Sequence, residues 1–393
     1  MKKIISRILS TVIAAALALT LMPKGVVHAE TAYEMNKWTI FCYFCGSNLE
    51  DDYSASDDIE EMIESTSGTD LRYVVMCGGS NVDHDYFKHW ATYRILIEDG
   101  KVYKVGNPAL LDMGDAGTLS DFLQWGLSEF PAEHSGLVIW DHGAGAIGGC
   151  CYDDLFDFDN LTLPEMSQAF DKAANVSDRK FDFVAYDCCE MAALELACIL
   201  EDHADYFAAS QEVMPAEGFD YTSITDYIVS NPDCDGFAAC EALANGYWDS
   251  LGSPIPYYGT ISIMDLSKLD TLMTTLGRYL SSVDTYIESD TSARSALQSA
   301  LRSECSLDDC NMVDLNDLID CCSVYSDPAS FALNEAVVDF IPYVRNSNEH
   351  AGFSGVTVYV PVNRPYPDEL EIFEEIVPDV PGYEDFIYDL TGC

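Results

Sequence analysis

Basic side chains are scarce in this sequence: 19 lysines and arginines face 67 aspartates and glutamates over 393 residues, a formal net charge of −48. Such a field repels phosphate backbones, which argues against nucleic acid as a partner and would draw in cationic substrates or calcium. An acidic surface that serves only solubility is the plainer reading. Long apolar runs are lacking too. The longest, Ile8 to Met22, covers 15 residues and falls short of the roughly 18 that a membrane span requires. It follows Lys2, Lys3 and Arg7 and precedes Val27-His28-Ala29, so residues 1–29 read as a signal peptide cut near Ala29. Pro23 and Lys24 end the run early and weaken the alternative of an uncleaved anchor. The expectation is a secreted, extracellular monomer with no stable membrane span after cleavage, attachment to the cell surface being left open. Repeats, low-complexity tracts and obvious linkers are absent as well. With 48% hydrophobic residues the chain can bury a large core, which argues against intrinsic disorder.

Cysteine, by contrast, is plentiful at 15 residues. In a secreted chain that number first suggests disulfides, but this chain is too long for a small stapled scaffold and many of its cysteines sit inside apolar, strand-like runs. Cys42 and Cys45 lie three apart in WTIFCYFCG, so a strand points them to opposite faces and they cannot easily share a metal. Buried free thiols are the expectation for most of the set. Cys150 and Cys151 receive no role.

Short apolar runs rich in β-branched and aromatic residues recur at 38–44, 72–77, 136–140, 181–187 and 205–211, with helical patterns between them. Near-continuous apolar strands alternating with helices predict a mostly parallel sheet covered on both faces, an α/β class. Asp99-Gly100 between two alternating runs (91–106) predicts a hairpin, and Thr118 with Asp121 suggests a capping box. After Asp235 the pattern becomes more helical, over 236–250 and from Ser267 to about Ser289, with late strands at 257–266 and 355–362. Two parts are expected, 30–265 and a helix-rich 266–393 whose late strand at 355–362 joins the fold.

WDHGAGAIGGCC (140–151) can be parsed in two ways. Gly143, Gly145 and Gly148 spell GxGxxG, but a dinucleotide loop must lead from strand into helix, and here an Asp-rich stretch without helical period comes next. The other parse centres on His142, just past the end of a strand. FDFVAYDCCEMAALELACIL places Cys188 and Cys189 at the end of a second strand, where a following helix would favour a thiolate through its dipole. Active sites of open parallel sheets gather at that edge. Cys189 follows His142 by 47 residues, close to the caspase-type spacing of about 50.

Asp-His-Gly after a strand, followed by Asp187-x-Cys189-x-Met191-Ala192 before a helix, resembles the clostripain family of cysteine peptidases in the caspase-like superfamily. Further resemblance lies in 46–62, 112–122, 161–166, 210–221 and 347–361. It implies a caspase-like α/β/α sandwich with a helix-rich C-terminal part. It also implies His142 as the catalytic histidine, Cys189 as nucleophile, and the N–H groups of Gly143 and Cys189 as oxyanion hole. Asp187 would stand at the base of the S1 pocket and select Arg or Lys at P1 in protein or peptide substrates; its alternative role is to cap the following helix. No cofactor is required by this chemistry. Calcium dependence in parts of the family makes the acidic stretches SASDDIEEM and CYDDLFDFDN candidate oxygen donors. Relatives cut themselves after a basic residue between histidine and cysteine, where this chain has only Lys172, Arg179 and Lys180. Two departures stand out: Cys188 replaces a small residue and Glu190 an apolar one. Only one of the neighbouring cysteines can face the cleft; the register selects Cys189, leaving Cys188 as a buried thiol or half of a silencing vicinal disulfide. The alternative function is a catalytically silent homologue that serves as a secreted or surface binding protein.

Overall fold

The computed structural model describes residues 33–393 except 178, 303–305, 308–310, 323–327, 362–366, 377–379, 381 and 392–393. The signal-peptide reading of residues 1–29 lies outside the described residues. Among those described, no helix is long and apolar enough to cross a membrane.

In chain order the elements that position the site are β1 (Asn36–Cys45), α1 (Ser54–Ser65), β2 (Arg72–Gly78), β3 (Thr92–Glu98), β4 (Lys101–Ala109), α2 (Ala116–Glu129) and β5 (Ala132–Trp140). Then come β6 (Cys150–Asp153), β7 (Asp159–Leu161), α3 (Leu163–Ala173), β8 (Phe181–Asp187), α4 (Leu194–Leu200), β9 (Ala204–Ala209), α5 (Tyr221–Ser230) and α6 (Gly236–Ser250). β10 (Thr260–Asp265), α7 (Leu269–Ser289), β11 (Ser306–Leu307), β12 (Met312–Asp314), β13 (Tyr343–Asn346) and β14 (Thr357–Tyr359) complete the order. One nine-stranded sheet runs β13-β10-β9-β8-β5-β1-β2-β3-β4. Its middle, from β9 to β2, is parallel, and the outer strands pair antiparallel.

The apolar strands behave as a two-faced core requires. Along β1, Trp38, Ile40, Cys42 and Phe44 join one buried cluster with Tyr221 and Ile224 of α5 and Ala239 and Leu243 of α6. From the other face Phe41 meets Phe181 edge-on. Both faces being covered, β1 has no solvent side to alternate toward. Cys42 and Cys45 fall on opposite faces, both buried, and all 12 described cysteines are free thiols. The Asp99-Gly100 hairpin is present, with φ of 52° and 68°, the pair of positive values that a two-residue hairpin turn uses.

Three readings are corrected or made specific by the structure. Helix α2 is capped by Asp115, whose side chain accepts from Thr118 N at 3.1 Å, so the Thr118–Asp121 capping box does not form. The stretch at 355–362 contributes β14 to a separate three-stranded sheet with β11 and β12. In the main sheet the edge position is taken by β13, a short, half-exposed strand without a readable pattern. Third, β8 does not lead directly into a helix: α4 begins only at Leu194.

Candidate active site

Parallel pairing of β5 with β8 sets Trp140 opposite Asp187, so both chains leave the sheet at the same edge. Beyond β5 the chain folds into a tight hairpin. His142 and Gly143 run outward, a single helical turn spans Gly145–Gly148, and the chain returns through Cys150 and Cys151. Gly143 bridges Cys150, and Cys151 N donates to His142 O at 3.3 Å. This is how the GxGxxG glycines are used: they fold a hairpin over the sheet edge, and the helical turn is too short to hold a pyrophosphate.

Asp141 anchors that hairpin. It is buried, with Ser47 Oγ donating to one carboxylate oxygen at 2.5 Å and Tyr152 N to the other at 2.6 Å. Burial raises its pKa to about 8. The neighbouring imidazole of His142 meets the side chain of Asn48, with Nε2 2.9 Å from Asn48 Oδ1. Partial burial lowers the His142 pKa, and the nearby Asp154 carboxylate opposes the shift.

After β8 the chain turns sharply, with Glu190 at φ 61°. Cys189 is partly exposed and Cys188 is buried, its Sγ pointing to Ile139 O at 3.5 Å. Cys150 reaches both Cys151 and Cys188, forming a row of thiols beneath the hairpin. Because α4 starts five positions later, a helix dipole cannot activate Cys189. Its sulfur is held instead by backbone: Met214 N donates to Sγ at 3.2 Å, and Gly143 N–H also points at it. Burial raises the thiol pKa and those two donors pull it down. The two turns pack so closely that a Cβ on Gly143 would lie 2.2 Å from Cys189 O, which is why the position after His142 holds glycine.

His142 and Cys189 line one cleft of about 230 Å³, together with Leu49, Met214 and Gly218. Asp187 forms part of its wall, 5% exposed. It caps no helix: its Oδ2 accepts from Phe219 N and from Tyr221 Oη, each at 3.0 Å. Gly218, at φ 54°, passes so near that a Cβ would stand 2.5 Å from Asp187 Oδ1. Burial raises the Asp187 pKa, and Glu61 adds to the rise. Asp58 completes this acidic group and accepts from Trp140 Nε1 at 2.7 Å; its own pKa is raised by burial first and by Asp187 next.

Lys172, Arg179 and Lys180 sit between the C-terminal end of α3 and the start of β8, all exposed. They are at the opposite end of β8 from Cys189, a separation of roughly 20 Å along a seven-residue strand. The acidic stretches do not gather a set of donors. Asp153 is committed to Met113 N and Leu155 N, and among the described residues only Asp284, Glu288 and Asp389 bring three ligand atoms within 4.8 Å of one another.

Sequence reasoning did not find Asn48, Ser47, Met214 or Tyr221. Ser47 and Asn48 lie in the GSN turn just past β1, the strand next to β5, and that adjacency together with the family resemblance of 46–62 was the available signal.

The clostripain family model matches residues 42–350. No curated protein matches the chain. Among solved structures, a secreted cysteine protease from Bacteroides thetaiotaomicron in complex with an irreversible peptide inhibitor superposes with a TM-score of 0.65 at 18% identity, covering 87% of this chain and 99% of that one. An inactive zymogen protease from Parabacteroides distasonis gives 0.64 at 20% identity, covering 90% and 99%. These likenesses agree with the α/β/α sandwich, and the match of the family model over most of the chain settles kinship: the protein belongs to the clostripain family of cysteine peptidases.

Proposed function

We propose that this protein is a secreted endopeptidase that cleaves after Arg or Lys, with Cys189 as nucleophile and His142 as general base and acid. One observation carries the reading: a partly exposed thiol, flanked by two backbone N–H donors, shares a cleft with an imidazole and with a buried carboxylate.

Burial pushes the thiol pKa up and the imidazole pKa down, so the resting pair is thiol and neutral imidazole. As Sγ attacks the peptide carbonyl, its proton passes to His142 and the carbonyl oxygen becomes an oxyanion facing the N–H groups of Gly143 and Cys189. His142 then protonates the leaving amine as the C–N bond breaks. The acyl-enzyme is released by water, whose proton His142 accepts before returning it to sulfur. Asp187 receives the P1 cation, a charge-assisted contact of about 1.5 to 3 kcal/mol. These steps require no metal ion, and a chelator should leave kcat unchanged.

An arginyl or lysyl chloromethyl ketone, mapped by mass spectrometry, tests the proposal. An adduct on Cys189 that is lost in Cys189→Ala is the expected outcome. A folded protein that takes no adduct and turns over no basic peptide would return the silent binding protein.

A further inference from the structure

We infer that Asn48 is a positioning residue for catalysis: its side-chain carbonyl fixes the His142 tautomer with the proton on Nε2, leaving Nδ1 as the lone pair available to the Cys189 thiol. This rests on the proposed Cys189–His142 dyad.

A neutral imidazole carries one N–H and one lone pair, and the partner of one nitrogen decides the role of the other. Asn48 Oδ1 accepts only, and it stands 2.9 Å from Nε2. The bond is not a by-product of local structure. Asn48 occupies the cap position of the helical turn Leu49–Asp52, where an Asn side chain ordinarily bonds the backbone, yet it makes no capping bond there. Its amide is turned to the histidine instead.

The turn that carries Asn48 is rigidly referenced to the histidine. β1 and β5 are parallel neighbours, with Phe44 paired to Trp140. Just beyond that register Ser47, at φ 41°, donates to Asp141, and the next residue, Asn48, meets the next residue, His142. Two consecutive side chains from one strand end therefore grip two consecutive residues of the other. Asp141 is locked from its far side by Tyr152 N, so the imidazole has a fixed base as well as a fixed partner. The charged group facing the ring is Asp154; Asp51 in turn faces Asp154, and Asp141 precedes the ring in sequence with its carboxylate engaged elsewhere.

The test compares Asn48→Ala and Asn48→Asp with wild type and Cys189→Ala on a basic P1 substrate. Asn48 is exposed, so both variants are expected to fold with unchanged melting temperature. The Ala variant should lose about ten- to a hundredfold in kcat with KM held within about twofold, because ring orientation is lost while the P1 contact is not. The Asp variant keeps the acceptor and should recover most of kcat. Its added charge should also move the acidic limb of the pH profile to higher pH, a readout no structural role would produce. Wild-type kcat in Asn48→Ala, or an Asp variant as slow as the Ala variant with an unmoved acidic limb, overturns the assignment. Full activity in Cys189→Ala would instead bring down the dyad on which it stands.

Discussion

In the proposed function, Asp187 is a buried side chain that trades stability for recognition. Its carboxylate has two hydrogen bonds but sits beside Asp58 and Glu61 in a poorly solvated wall, and its pKa is raised. A group whose folded pKa is raised contributes stability at low pH that is lost as pH rises through that value. Asp187→Asn should therefore melt higher than wild type at neutral pH, by something on the order of 1 to 2 kcal/mol, and the gap should close on acidification. The same variant should lose cleavage after Arg and Lys. Thermal melts across pH check the first statement and a peptide cleavage profile the second; a variant less stable at neutral pH would show that the carboxylate is compensated. In wild type, KM for basic substrates should fall as pH climbs from about 5 to about 8 and Asp187 ionises. His142 and Cys189 set the outer limits. Their shifted pKa values predict a broad plateau in kcat, rising below the usual 6.5 of histidine and falling only above the usual 9.0 of the thiol. A narrow bell centred between ordinary values would contradict the neutral resting pair. The placement of both residues at one sheet edge was legible in the sequence because each follows an apolar strand. The backbone donor that holds the sulfur was not, since Met214 lies 25 positions further on and acts through its N–H.

At the scale of elements, the site is two turns pressed together, the hairpin after β5 and the turn after β8. Gly143→Ala drives a Cβ into Cys189 O and displaces both proposed oxyanion donors, so kcat/KM should drop on the order of a hundredfold. Cys188→Ala removes the buried thiol contacts with Cys150 and with Ile139 O and should cost about 1 kcal/mol while activity persists. Should the Cys188 change alone abolish turnover in a folded protein, the strand register assigned to the nucleophile is wrong. Sequence pattern located the five parallel strands because burial on both faces leaves a continuous apolar run. It could not tell which sheet GVTVYVPV joins, as an apolar strand reads alike in either, nor find β13, four residues with no alternation. The helix proposed to follow Cys189 failed for a related reason. Residues 191–193 are apolar enough to extend a helical pattern, but tertiary bonds claim the turn: Glu190 N bonds Glu212 O, Ala192 N bonds Ser210 O, and Thr357 N bonds Ala192 O.

Taken as a whole molecule, the chain separates its proposed nucleophile from the three basic residues that lie between His142 and Cys189 in sequence. The proposed nucleophile lies at the C-terminal edge of the parallel strands, and Lys172, Arg179 and Lys180 cluster at the other edge. Within this fold no rearrangement short of withdrawing β8 from the sheet would carry Arg179 or Lys180 to the cleft, because Phe181 is paired in the sheet with Ala204. Self-cleavage at Arg179 or Lys180 would then fall to a second copy. Their side chains are engaged only lightly, Lys172 with Gln168, Arg179 with carbonyls of Ala132 and Glu133, and Lys180 with Glu201 O. Processing should accordingly be second order in enzyme, with a half-time that lengthens as the protein is diluted. Catalytically dead Cys189→Ala chain should be cut on addition of a trace of wild type. Intact-mass measurement over a dilution series decides it: a half-time independent of concentration would require an intramolecular cut and hence a different arrangement of α3 and β8. The acidic field adds a dependence of its own. With a net charge of −48, encounter with a basic segment is steered and should slow as salt rises, whereas an uncharged substrate should show little response. Equal salt sensitivity for charged and uncharged substrates would mean that the charge serves solubility alone.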